Sequence, residues 1–572
     1  MNFKKYIIHN LLFIILIIAA VLRLWKLDSI PPSLTSDEAA LGYNAYSILK
    51  TGKDEYGKLL PVIFKSFGDY KPGLYVYLTV PFVAVFGLNE FSTRLPSSLA
   101  GVIAVWLLYK IVIDFKKREK LEVGNRKAST ITSLEILAPA MLAISPWHIH
   151  FSRGAWEVNV ALTLTLAAIW YFIKALRNSK YLIYSAVCFT LTLLTYQGAK
   201  LSSAIVLALL LLIYWKKFWS AFRAHAGPVL VSGVLGILIS LPIFLSLING
   251  QTGRLNVFSV FSYPRKDSDI VQILSQGNET NNSLSYYLFH SETLNFKRGI
   301  LGRWFNHFSG RFLFFEGDWQ NPRHSAPNQG MMLMSDFIFL TFGLLFIAKN
   351  IRTGWAKFMV LWLLLAPLPS VLSRDAVHAV RAYNMVIPLT IVTSCGIYYL
   401  FSLVKHKSAI SKVVVTKLTV LMFVASFIYF LDAYFVHLPK HDSEAWDYGY
   451  KELVKTITPL QNHYDDIKVQ QSFSQPYIYF LFYQKYDPAK YQKTAKLTAS
   501  EYAGDVGYVE KLDNIYFAPI DWPQNKQEHG ILVAADEIRI PDFEIAAGGA
   551  FGLIKSIKYL DGNTAFNVVE IK

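Results

Sequence analysis

The sequence predicts a polytopic α-helical membrane protein with a folded α/β module at its C-terminal end. Three observations carry that reading. Only 17% of the 572 residues are charged and 53% are hydrophobic, whereas a soluble globular chain carries about 25% charged residues. The apolar residues gather into about eleven runs near the ~20 residues that a bilayer crossing needs. Past residue 437 those runs stop, and short alternating or amphipathic stretches bounded by turn residues replace them.

The first run, 7–24, follows Lys4 and Lys5 and has no small-x-small cleavage site. It reads as an uncleaved first span. Further spans are expected at 92–113, 130–147, 158–176, 181–196, 200–215, 228–248, 335–350, 357–373, 383–404 and 416–436. With the N-terminus in the cytoplasm, the cytoplasmic connections carry Lys116, Lys117, Arg118, Lys120, Arg126 and Lys127, then Arg177 and Lys180, then Lys216, Lys217 and Arg223. Lys349 and Arg352, and finally Lys405, Lys407 and Lys412, complete the series. Basic residues in these loops are what the positive-inside rule requires. The net charge of +16 therefore reads as a topology signal, not as a nucleic-acid surface. Cys188 and Cys395 each lie within an apolar run, so neither a disulfide nor redox chemistry is indicated.

This orientation places four regions outside: the loop 25–91, the turn "SPWHIHFSRGAWEVN", the loop 249–334, and the tail from 437. Leu74 to Phe86 is apolar but short and contains Pro81, which fits an interfacial or re-entrant helix. In the tail, "SEAWDYGYKELVKTI" reads as an amphipathic helix capped by Ser443. "DIKVQQSF" and "GILVAADEIRI" read as strands, and the last residues as a hairpin across Asp561-Gly562-Asn563. The expected domains are thus 1–436 in the membrane, with external loops 25–91 and 249–334, and a soluble extracytoplasmic module at 437–572.

The first external loop concentrates ionisable groups. It holds the adjacent pair Asp37 and Glu38 in "TSDEAALGY", then Asp54 and Glu55, then Asp69 and Lys71, with Arg94 at the mouth of the second span. The bland reading of Asp37 and Glu38 is a helix N-terminus, whose first turn favours acids. Against it stands the gathering of carboxylates and cations at one membrane face, which suits an anionic lipid headgroup with a base beside it. Arg153 and Arg381 are further candidate phosphate ligands, because an arginine at a membrane mouth calls for an anion. His148, His150, His378, Arg323 and His324 fall in external turns and are candidate substrate contacts. His148 and His150 lack the i, i+4 spacing of a helical metal pair and no His/Cys cluster accompanies them, so the sequence indicates neither a metal nor another cofactor.

The segments "SDEAALGYNAY", "DYKPGLYVYL" and "STRLPSSLAGVIAVWLLY" resemble the first external loop and second span of bacterial glycosyltransferases of the C superfold (GT-C). The nearest group is that of protein O-mannosyltransferases and 4-amino-arabinose lipid A transferases, family 39 and its bacterial relatives. "SPWHIHFSRGAWEVNVALTL" and "APLPSVLSRDAVHAVRAYNMVIPL" resemble later spans and turns of the same group. The resemblance implies transfer of a sugar from a polyprenyl-phosphate donor to a protein, lipid or glycan acceptor at the outer face of the membrane. Asp37 matches the group's first-loop catalytic acid, and Lys71 in "KPGL" matches the basic residue that touches donor phosphate. Gly73 replaces the second proline of that Lys-Pro-Pro-Leu motif, and Tyr70 stands where some relatives have an acid. Some members of the superfold use a divalent ion.

With one base and one leaving-group clamp, direct displacement with inversion is the expected chemistry. Adjacent helical residues point about 100° apart, so Asp37 and Glu38 do not face each other as an opposed carboxylate pair. Asp37 is expected as base and Glu38 as its catalytic neighbour, positioning Asp37 or the sugar. Two other classes compete: a flippase or transporter for lipid-linked sugar, and a non-catalytic membrane scaffold with an external binding domain. No inverted repeat is evident, and the ionisable residues cluster at one face and not at the midplane that a transporter site occupies.

Overall fold

A backbone crossing a bilayer must satisfy its own hydrogen bonds, so apolar runs of this length become helices. The computed structural model describes residues 3–119, 134–224, 226–251, 255–405, 407–471, 475–499 and 506–572. The basic residues Lys120, Arg126 and Lys127 lie outside that set. The chain begins with α1 (Phe3–Leu24), α2 (Ser36–Thr51), a hairpin of β1 (Ile63–Ser66) and β2 (Asp69–Pro72), and α3 (Leu74–Phe86). There follow α4 (Glu90–Glu119), α5 (Leu134–Ile144), α6 (Pro146–Arg153), α7 (Glu157–Ala175), α8 (Tyr181–Leu193), α9 (Ala199–Ala224) and α10 (Ala226–Ile248).

Among the described residues, eight helical segments are long and apolar enough to cross a membrane. Five lie within α1, α4, α7, α9 and α10, and the others are Gly354–Val371, Tyr383–Val404 and Ala409–His441. The remaining three expected spans are also helical, but shorter: α5, α8 and Asp336–Lys349. At 1.5 Å per residue each reaches only ~16–21 Å. The segment "SPWHIHFSRGAWEVN" is not a simple turn. Ser145 caps it, its side chain accepting from the His148 N–H, and Pro146 opens α6, where its missing N–H costs nothing.

Neighbouring helices come close where the sequence supplies glycine. The helix Asp336–Lys349 runs along Val386–Val404. A Cβ on Gly343 would lie 1.9 Å from the Val392 carbonyl oxygen, and one on Gly396 would lie 1.7 Å from that of Phe339. Small residues of this kind let backbones meet in the absence of a hydrophobic drive between helices.

The C-terminal residues form a six-stranded sheet in the order β4-β5-β3-β6-β8-β7. Its strands are β3 (Asp466–Gln470), β4 (Lys511–Leu512), β5 (Ile515–Ala518), β6 (Ile531–Ala535), β7 (Phe551–Lys558) and β8 (Thr564–Ile571). β3 runs parallel to β5 and β6, and the β4, β7 and β8 pairings are antiparallel. The expected helix is shorter than its pattern: it spans Tyr450–Ile457, and its N-cap position is Gly449 with φ of 107°. Ser443 instead hydrogen-bonds to the Lys440 carbonyl, so the cap expected there is corrected.

This sheet unit does not hang free. Tyr43, Tyr75 and Val76 share one apolar cluster with Tyr477, Phe480, Leu532 and Val568. The Tyr43 hydroxyl donates to the Tyr486 carbonyl at 3.2 Å, and Gln492 reaches Ser47, Thr51 and the Asp54 carbonyl at 2.9–3.0 Å. The C-terminal unit therefore packs on α2 and on the loop that follows it.

Candidate active site

Thr35 starts α2 with a capping box. Its hydroxyl accepts from the Glu38 N–H, and the Glu38 carboxylate accepts from the Thr35 N–H. This geometry splits the two adjacent acids. Asp37 stands exposed on the first turn, its side chain 63% accessible. Glu38 is buried. Lys71, carried by β2 and held over the Phe67 ring, ion-pairs with Asp37. Burial opposes the charge on Lys71, yet Asp37, Glu157 and Asp69 outweigh it and hold the ammonium above its ordinary value.

The hairpin that carries Lys71 explains the departure at Gly73. A Cβ there would fall 2.3 Å from the Phe64 ring, and the Gly73 N–H donates to the Val62 carbonyl at 2.9 Å. A second proline would clash and lose that bond. Gln197, after α8, fixes the hairpin from the other side by donating to the Tyr70 carbonyl at 2.7 Å.

The sequence reading assigns Glu38 a catalytic place and Arg94 a donor phosphate. The structure corrects both, because each is consumed by the other. Arg94 is fully buried. Its Nε and Nη2 donate to the two Glu38 oxygens at 3.0 and 3.1 Å, and Nη1 donates to the carbonyls of Leu27 and Pro31 at 3.1 and 2.9 Å. Nη2 also reaches the Ser33 carbonyl. Glu38 additionally accepts the Ala155 N–H at 2.7 Å. A forked guanidinium with all its donors engaged has nothing left for a phosphate. The pair pins the connection from α1 to α2, and so positions Asp37.

Arg153 is corrected on similar grounds, since both its terminal nitrogens are engaged by backbone carbonyls. It donates to the carbonyls of Leu22, Trp25, Lys26 and Ile30 at 2.7–3.2 Å and tucks against Phe435. His148 is buried against Arg23 at 2.6 Å and stacked on Tyr383. Burial, with the Arg23 charge, lowers its pKa well below the ordinary imidazole value, so it sits in the interior as a partner of Arg23. His150 contacts the Arg323 carbonyl at 2.8 Å, and burial lowers it to about 3. Arg323 thus enters through its backbone. Asp54 is buried and accepts the N–H groups of Tyr56 and Lys58. Glu55 is wholly buried, accepts from Asn44, and is pushed up to about 8 by desolvation. The sequence makes Asp54 and Glu55 possible substrate contacts, and the structure places both acids in the interior of this loop.

Lys71 and Asp69 remain near Asp37 as chemical possibilities, and Arg381 remains a candidate at the turn before Tyr383. Arg381 pairs with Asp375 at 2.5 Å and lies over the Phe258 ring. Two further groups join this neighbourhood that sequence reasoning passed over. Glu157, the first residue of α7, interacts electrostatically with Lys71 and Asp37. Tyr196, between α8 and α9, feels both Arg381 and Glu157. Glu157 had a usable signal: an acid opening an apolar span is costly unless it works. Tyr196 had none among the many tyrosines. His378 lies beside His324, their rings 4.8 Å apart, and His324 contacts Asp318 at 2.8 Å. Nothing in the local sequence pointed to that cluster.

No family model and no curated protein matches this chain. Solved structures do. Over 97% of both chains, it superposes on ArnT from Cupriavidus metallidurans bound to undecaprenyl phosphate, with a TM-score of 0.52 and 11% identity. ArnT in the apo state matches over the same shares with a TM-score of 0.51. An archaeal oligosaccharyltransferase, AglB from Archaeoglobus fulgidus, matches over 84% of this chain and 64% of its own, with a TM-score of 0.48 and 12% identity. The multi-pass helical body and its C-terminal sheet unit together have the GT-C fold, that of the ArnT structures, along nearly the whole chain.

Proposed function

We propose that this chain is an inverting glycosyltransferase that moves a sugar from a polyprenyl-phosphate donor to an acceptor at the outer face of the membrane. The observation that carries the reading is the Asp37–Lys71 pair at the start of α2, with Glu157 beside it. The fold it shares with a structure solved with undecaprenyl phosphate adds support. The donor phosphate draws Lys71 away from Asp37, and the ammonium meets the charge that grows on the leaving oxygen. Asp37, released from its partner, takes the proton of the acceptor hydroxyl as that oxygen attacks the anomeric carbon. The bond from that carbon to phosphate breaks, and polyprenyl phosphate leaves with the electron pair. Glu157 positions Lys71 between the two tasks.

On this reading the C-terminal sheet unit lies outside the cytoplasm on the side of Asp37, since it packs on α2, and it helps to admit the acceptor. Purified protein incubated with a panel of radiolabelled polyprenyl-phosphate sugars and envelope acceptors should yield a labelled product. Asp37→Asn should lower the rate by ~100- to 10,000-fold with donor binding retained. Full turnover in that variant would end the assignment of Asp37.

A further inference from the structure

Asp318 and His324 close one end of the long loop before the helix Asp336–Lys349, and His378 lies in the turn between the segments Gly354–Val371 and Tyr383–Val404. One oxygen of Asp318 and one ring nitrogen from each histidine lie within 4.8 Å of one another. Asp318 is held firmly. One oxygen accepts from Asn321 Nδ2 at 3.0 Å, and the other accepts the Ala379 N–H at 2.8 Å and contacts His324 Nδ1 at 2.8 Å. An ionised carboxylate can only accept, so Nδ1 of His324 is the donor, and in the neutral tautomer Nε2 is the nitrogen that carries the lone pair. This is the carboxylate–histidine arrangement that orients metal-binding imidazoles. Phe151 and Trp156 wall His324 at ring separations of 6.1 and 5.6 Å, which fixes its rotamer.

We propose that His324 and His378, oriented by Asp318, bind one first-row divalent cation of the zinc class. Imidazole donors select such ions over magnesium or calcium. A tetrahedral ion with bonds of about 2.0–2.1 Å holds its ligand atoms about 3.4 Å apart. Among the described residues Nδ1 of His378 meets the Arg381 N–H at 3.4 Å, a weak hold that leaves the ring able to turn towards that spacing. Arg381 is itself paired with Asp375, which blunts its opposition to a cation. The ion clips the end of the long loop to the turn around 378 and leaves open positions for water or an anion. The proposal is independent of the transferase reading.

Tag-free, chelator-treated full-length protein in detergent is dialysed against low-micromolar Zn2+ and assayed for bound metal and thermal unfolding. One zinc per chain and a raised midpoint are expected, with no effect of Mg2+. His324→Gln and His378→Gln should each abolish that equivalent, Asp318→Asn should weaken it by about 10–100-fold, and the exposed control His463→Gln should keep it. Co2+ added to the parent protein should give a visible absorption band that Zn2+ removes, a readout that needs no variant to fold. Absence of both the band and the bound zinc would overturn the site, as would zinc retained in both histidine variants.

Discussion

Arg94→Ala separates two roles that one arginine could have. In the structure the guanidinium is buried, and its donors end on Glu38 and on the carbonyls of Leu27, Pro31 and Ser33. Truncation leaves the Glu38 carboxylate buried, with only the N–H groups of Thr35 and Ala155 as partners. Breaking one side of a buried pair costs about 3–5 kcal/mol. A phosphate ligand at the surface would instead weaken donor binding and leave stability untouched. Reversible unfolding in mixed micelles reads the first effect, and photo-crosslinking of a polyprenyl-phosphate donor reads the second. The double variant Arg94→Met, Glu38→Gln removes both charges together, so it should recover ~1–3 kcal/mol relative to the sum of the two single changes. An Arg94→Ala protein that unfolds like the parent but no longer captures the donor would refute the buried clamp.

Lys71→Ala should cost roughly tenfold or more in donor use, the worth of a charge-assisted bond of about 1.5–3 kcal/mol, measured as a rise in KM or a fall in crosslinking. Glu55 has a folded pKa raised from 4.5 to about 8, so its contribution to stability is full below 4.5 and is lost as pH rises through 8. Glu55→Gln should flatten that part of the unfolding profile, and an unchanged slope would contradict the buried neutral carboxyl. Gly73→Pro should lower stability and activity together through the clash with Phe64; a neutral result would discount the packing of the hairpin. In a background lacking Cys188 and Cys395, a cysteine at the exposed Gln527 should react with a membrane-impermeant thiol reagent in intact cells. Labelling only after lysis would place the C-terminal unit in the cytoplasm.

The sequence by itself determined the helical membrane body and the C-terminal change of character, and it marked Asp37 and Lys71 as candidates. Each rests on a local property: apolar length, strand alternation, or a short motif. It also held the hairpin across Asp561-Gly562-Asn563, which joins β7 to β8. What it could not hold is which charge meets which. Glu38, Arg94 and Arg153 look like site residues because ionisable groups near a membrane are costly. That cost is equally met by pairing Glu38 with Arg94 and by burying the two arginines against carbonyls left over where α1 ends and α2 begins, and only the folded chain reveals those partners. Asp318, His324 and His378 are spread over 60 residues, and Glu157 reaches Lys71 from a different helix. Such meetings depend on helix packing and loop closure, long-range geometry that no local pattern encodes, so the tertiary structure alone decided which polar residues are free to act.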